Sequence, residues 1–429
     1  MPDHRPSHDP GHGPDQRSGP LPAGFRRLAL SSLPAQFSEQ IALSAAPLAA
    51  VLLLGAGATQ TGLLQAAQTL PFLLLSLPAG VLADRTSRRC LMLGAEVLRA
   101  AALLVILLLL LGGALTLPWL AVLGFLGAAG TVAYSVAAPA LVPSLVPAGR
   151  LAMANRWLEL TRSTAFAAGP ALGGAVVGWA GAAPAYALAT ALSLLAALLL
   201  RGLPDGTGQG RGQRKRRHPL AELREGAGFV LSHSLLRPVL VTATLFNTAW
   251  FLLQAVYVVY AVERLGLGAG GVGLTLGLYG LGMVAGAVVA PRLMHRLTFG
   301  ATIALGPLGA LLASLLMLAT LACPPGTWPG AALAGMSCLL FGAGPILWTI
   351  ATTTLRQSVT PPGLLGRVSA TIVTATFGAR PLGAALGALL ASQGGMEACL
   401  WASSLGFAAQ FLVLSRSPVP RLARQPDMA

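Results

Sequence analysis

The stretch Pro78-Ala79-Gly80-Val81-Leu82-Ala83-Asp84-Arg85-Thr86-Ser87-Arg88-Arg89-Cys90-Leu91-Met92-Leu93-Gly94-Ala95-Glu96-Val97-Leu98-Arg99 decides how the chain is read. An apolar run from Leu63 to Leu82 ends in Asp84 and Arg85, and a second begins at Cys90 and continues to Leu111. Each run is long enough, as a helix, to cross a hydrocarbon core about 30 Å thick. Two spanning helices therefore meet in a turn of a few residues crowded with cations. Gly80 lets the helices approach closely. Asp84 sits at a helix end, where it can pair with Arg85, Arg88 or Arg89 or cap a neighbouring helix.

Composition says the same of the whole chain. Its 429 residues are 55% hydrophobic and only 10% charged, against about a quarter charged in soluble domains. The runs are too long for barrel strands, so the expected class is an all-α polytopic membrane protein. A net charge of +15 could indicate nucleic acid, but the cations fall in short loops between apolar spans, which is the positive-inside pattern. No nucleic-acid partner is expected; the lipid bilayer is. Four cysteines, Cys90, Cys323, Cys338 and Cys399, lack metal spacing and imply no disulfide framework. His4, His8 and His12 recur every fourth residue, but the Pro and Gly between them argue against a helical metal site. No metal and no cofactor are expected. No G-x-x-x-x-G-K-[ST] loop occurs, so the chain is not expected to hydrolyse ATP.

Hydropathy divides the chain into a disordered tail (1–24), a first group of spans (25–201), a basic linker (202–235), a second group (236–415) and a C-terminal tail (416–429). The twelve expected spans are 29–54, 62–83, 90–112, 116–138, 157–179, 183–201, 236–261, 270–293, 300–322, 329–352, 370–391 and 395–415. One set of loops carries nearly all the arginines and the other essentially Arg264 alone. Both termini and the linker are therefore expected in the cytoplasm. The halves also repeat at an offset of 214 residues: Pro147, Leu151, Gly169, Leu172 and Gly173 correspond to Pro361, Leu365, Gly383, Leu386 and Gly387.

The string G-x-L-A-D-R-x-S-R-R at 80–89 resembles the loop 2–3 signature of the major facilitator superfamily, with Ser87 in place of a glycine. In span five, Gly169-Pro170-Ala171-Leu172-Gly173-Gly174 resembles the superfamily's export-associated motif, with Ala165 replacing the leading glycine. Residues 138–155 and 356–370 are similar to a branch of macrolide and siderophore exporters. The resemblance implies two six-helix bundles that rock about a central site lined by spans one, four, seven and ten, in a prokaryotic inner or plasma membrane. It implies a monomer exporting a small amphipathic molecule in exchange for protons, with no enzymatic activity. A metabolite importer, a polytopic membrane enzyme and a non-transporting receptor or scaffold are the alternatives, and the sparse acids argue against the enzyme.

Ionisable residues inside spans are functional candidates. Glu39, flanked by Gln36 and Gln40, is the candidate proton-coupling carboxylate, with Glu159 the second. Glu159 is three residues from Arg156 and from Arg162, so ion pairing is its competing role. Glu96 and Arg99 are expected to belong to the cytoplasmic gate with Gly80, Asp84, Arg85, Arg88 and Arg89. Asn247, Trp250, Gln254 and Tyr257 share one helical face and, with Trp348, are expected to line the cavity. Arg380 is open between attracting an anionic substrate and pairing with backbone carbonyls or a distant acid. Replacing Asp84 with Asn is expected to impair flux while leaving insertion intact; wild-type flux in that variant would remove Asp84 from the gate.

Overall fold

The computed structural model describes residues 22–147, 150–203, 219–361 and 364–426, without the side chains of residues 77, 80, 81, 83–85, 152, 156 and 219–223. Among the described residues there are twelve α-helices and no strand. The first six are α1 (Ala23–Leu52), α2 (Ala58–Arg85), α3 (Arg88–Leu111), α4 (Leu117–Leu145), α5 (Leu151–Ala180) and α6 (Ala182–Arg201). After them come α7 (Pro219–Ser232), α8 (Leu236–Glu263), α9 (Ala269–Arg296), α10 (Phe299–Ala319), α11 (Trp328–Val359) and α12 (Leu365–Ser415). By length and composition, α3, α4, α6 and α8 through α12 can each cross a membrane. The turn between α2 and α3 is as short as the sequence implies: α2 ends at Arg85, and the Ser87 hydroxyl caps α3 by accepting from the Cys90 N–H at 3.4 Å.

Two elements differ from the sequence reading. The linker is not loop throughout, because α7 folds within it. Val230 of α7 packs with Leu236, Leu240 and Val368, and Glu225 pairs with Arg367 of α12 at 2.8 Å. His233, just past α7, accepts from the Leu235 and Leu236 N–H groups through Nδ1 at 3.2 and 3.4 Å. Desolvation holds its imidazole below the usual pKa, which keeps it neutral for this role. The last two expected spans form the single element α12, broken at Gly395 (φ 72°, ψ −172°), a backbone conformation that favours glycine. The Cys399 thiol reaches the Gly387 carbonyl at 3.4 Å, twelve residues back, so the chain doubles on itself there.

The sequence repeat is also a packing repeat. Gly169 and Gly173 of α5 lie against Gln40, Ile41 and Ser44 of α1; Gly383 and Gly387 of α12 lie against Thr248, Leu252 and Ala255 of α8. Small residues also make the seam between the first six helices and α8–α12. Gly174 of α5 meets Gly273 of α9 backbone to backbone, and an added Cβ on Gly62 of α2 would come within 2.8 Å of Ala388 of α12. Thr61 crosses the same seam, donating to the Ala255 carbonyl at 2.9 Å. Close backbone approach of this kind is how helices associate in lipid, where hydrophobic burial supplies little drive. Replacing Gly174 with Leu should therefore destabilise the protein by about 1–3 kcal/mol through overpacking, measured as a fall in melting temperature. Gly94→Leu, where an added Cβ meets nothing within 4 Å, should change stability by less than about 0.5 kcal/mol. Equal melting temperatures for the two variants would contradict a tight seam.

Candidate functional site

A chamber of about 610 Å³ lies between the first six helices and α8–α12. The expected α1, α4, α8 and α11 line it, and so do α2, α5, α9 and the first limb of α12. Its charged centre begins on α3, where Glu96 and Arg99 stand one turn apart and are 0% and 3% exposed. The Arg99 guanidinium donates to Glu96 Oε1 at 2.7 Å, to the Ala35 carbonyl of α1 at 3.2 Å and to Thr131 Oγ1 of α4 at 2.8 Å. Ser193 of α6 donates to Glu96 Oε2 at 2.8 Å. One buried ion pair thus ties four helices together. Glu39 of α1 approaches the same guanidinium at 3.9 Å and faces the chamber.

This arrangement revises the gate expected around Glu96 and Arg99. The pair is engaged deep in the helices, whereas Arg88 donates to the Ala140 carbonyl at 2.6 Å and Arg89 to the Arg201 carbonyl at 2.7 Å. Gly80 and the side chains of Asp84 and Arg85 lie outside the described residues, as do His4, His8 and His12. On α5, Glu159 forms a two-point pair with Arg162 at 3.0 and 2.5 Å. Arg162 lines the chamber, and Glu159 is not among the lining residues. The motif residues Gly169, Gly173 and Gly174 serve packing, and Pro170 lines the chamber.

The α8 face is divided. Asn247, Trp250 and Gln254 line the chamber, with Trp250 stacked on Tyr279 of α9 at 5.0 Å between centroids and tilted against Phe341 at 4.8 Å. Tyr257 does not line it. It is fully buried and donates to Thr275 Oγ1 at 2.5 Å, because the C-terminal part of α8 turns that face into the packing against α9. Gln36 likewise stands outside the lining, whereas Gln40 and Trp348 belong to it. Arg380 enters the chamber with its guanidinium 4.1 Å from the Phe377 ring centroid and 5.4 Å from those of Phe72 and Phe251. Its Nε donates to Asn247 Oδ1 at 3.4 Å. No carboxylate among the described residues is in ion-pair contact with it; Glu39 acts on it through its charge from farther off.

Sequence reasoning missed the α2 face made by Gln65, Gln68, Thr69 and Phe72. Its signal was present: amides and a hydroxyl at spacings of three and four inside an apolar run. Arg356 and Tyr279 were missed as lining residues too. Gln40 Nε2 and Gln68 Oε1 are buried without a hydrogen-bond partner. Among the described residues no three His, Cys, Asp or Glu side chains gather as a metal site.

A family model described as Major Facilitator Superfamily matches residues 28–384. The enterobactin exporter EntS of Citrobacter koseri is 30% identical over 322 residues, which cover 72% of this chain and 71% of that protein. An uncharacterized MFS-type transporter, y4rN, of Sinorhizobium fredii is 29% identical over 262 residues, 59% of this chain; the match spans 60% of y4rN, under two thirds of its length. The crystal structure of a bacterial homologue of the iron transporter ferroportin, in an inward-facing state, has the same fold. It superposes with a TM-score of 0.72 at 18% identity, covering 92% of this chain and 98% of that one.

Removing one partner of the buried pair leaves the other charge uncompensated. Arg99→Met should destabilise the protein by about 3–5 kcal/mol, and Ser193→Ala by about 1 kcal/mol, both read from melting temperatures in detergent. An Arg99→Met protein as stable as the parent would show that the pair does not hold the helices.

Proposed function

The chain belongs to the major facilitator superfamily of membrane transporters, and from that premise we propose that it expels a small amphipathic organic molecule across a bacterial inner membrane in exchange for protons. As a transporter it is not an enzyme. The proposed architecture has twelve spans. Helices α1–α6 form one bundle, and α8–α11 with the two limbs of α12 form the other, with α7 and both termini on the cytoplasmic side. The arginine-rich turns support that orientation. The repeated glycine packing of α5 on α1 and of α12 on α8 supports two related bundles that rock about the chamber. Exporters among the relatives support the outward direction. A chamber of about 610 Å³ lined by aromatics and amides suits a bulky cargo of the siderophore, macrolide or drug type.

The observation that carries proton exchange is the unequal hold on Arg99. Glu96 sits at 2.7 Å and is sealed from the chamber, whereas Glu39 sits at 3.9 Å and faces it. Protonating Glu39 leaves Arg99 neutralised by Glu96, so Glu39 can gain and lose a proton without stranding a buried cation. Glu159 is a weaker candidate, since it is half exposed and held at two points by Arg162. Glu39→Gln is expected to abolish gradient-driven efflux from energised vesicles while substrate binding remains measurable. Unaltered, pH-dependent efflux in that variant would rule out Glu39 as the coupling acid.

A further inference from the structure

Three of the chamber arginines differ in how their charge is met. Arg99 has Glu96 and Glu39, and Arg162 has Glu159. Arg380 is flanked by three rings and the amide oxygen of Asn247; among the described residues no carboxylate is in ion-pair contact with it, and the charge of Glu39, held nearer Arg99, acts on it only from farther off. A fourth cation, Arg356, lines the chamber toward the end of α11, and its buried Nε has no hydrogen-bond partner. The only acid among the described lining residues is Glu39, and it already faces Arg99. A cation in a low-dielectric chamber is costly unless an anion approaches it. Aromatic faces offset part of that cost, and the Arg380 side chain is part of the chamber lining. Gln40 and Gln68 also belong to the lining, and Gln40 Nε2 and Gln68 Oε1 are buried and unpartnered. One is a donor and one an acceptor, each without a protein partner.

Resting on the transporter reading above, we propose that the cargo is an organic anion with an aromatic body, its acid group seated on Arg380 and its polar substituents met by Gln40 and Gln68. The rings of Phe72, Phe251 and Phe377 that flank the guanidinium provide the surface for the arene next to the charge. Lipophilic cations are disfavoured, because they would meet unbalanced arginines on entry. The cargo's charge sits on Arg380 and not on Glu39, so proton and cargo do not contend for one carboxylate. A negative-inside membrane potential drives such an anion outward.

The test uses three probes with one arene and different charges: 1-naphthoate, methyl 1-naphthoate and 1-naphthylmethylammonium. Each is titrated by equilibrium dialysis against the purified full chain in nanodiscs of uncharged lipid. The carboxylate should bind at least about tenfold more tightly than the ester, and the ammonium most weakly. Arg380→Gln should reduce naphthoate to the level of the ester without changing the ester, and Arg380→Lys should keep part of the preference. Ester or ammonium binding as tight as naphthoate, no binding of any probe, or an undiminished preference in Arg380→Gln would overturn the proposal. If Arg380→Gln fails to insert, the wild-type comparison of the three probes decides alone. Naphthoate flux in vesicles separates the two readings. Selective binding without efflux would sink the export reading and leave the anion site standing; efflux that favours the ammonium would do the reverse.

Discussion

A single guanidinium in the membrane interior, that of Arg99, sets the terms for the rest of this structure. It cannot be left unpaired there, and its partners come from four helices: Glu96 beside it, the Ala35 carbonyl and Glu39 on α1, Thr131 on α4, and Ser193 on α6 acting through Glu96. The cost of withdrawing these charges from water is offset by the hydrogen bonds of both terminal nitrogens of Arg99, its Nε alone being buried without a partner, so the cluster specifies how α1, α3, α4 and α6 sit together. It is not saturated symmetrically. Glu96 is sealed in and Glu39 borders the chamber. The same ion pair that fixes the helices therefore leaves one carboxylate available for chemistry.

The second constraint is the small size of the residues at the seams. Glycines on α5, α9 and α2 bring helix backbones into contact across the chamber walls, and the α5-on-α1 arrangement recurs as α12 on α8. Side chains cross the seams at a few points, such as Thr61 on the Ala255 carbonyl and Phe72 edge-on to Phe377. The chamber between them inherits amides from α1 and α2, aromatics from α8 and α9 and cations from α5, α11 and α12.

Much of this was legible in the sequence, for physical reasons that differ by residue. Helix positions followed from hydropathy because lipid imposes length and apolarity on a spanning helix. The repeat of Gly169 and Gly173 in Gly383 and Gly387 was visible because close packing admits few residue types. Helix α7 was missed because its short apolar stripe, ending at Val230, was hidden beside a basic run. Tyr257 and Gln36 were misjudged because helical spacing gives a shared face but not where along the helix that face leaves the chamber. Glu96 and Arg99 read as a pair from their spacing of three, but their long-range partners Ser193, Thr131 and Ala35 are set by tertiary packing, which spacing does not encode.

The central claim is exchange of cargo for protons through the chamber. The most direct measurement uses inverted membrane vesicles energised to an acid interior and loaded with a quenched pH dye, with and without a protonophore. Macrolides, siderophores, lipophilic dyes and aromatic anions are then added in turn. The account predicts that at least one compound releases protons from vesicles containing the protein and from no others, and that the protonophore abolishes the signal. No compound-dependent release across the panel, with the protein shown to be inserted, would contradict it.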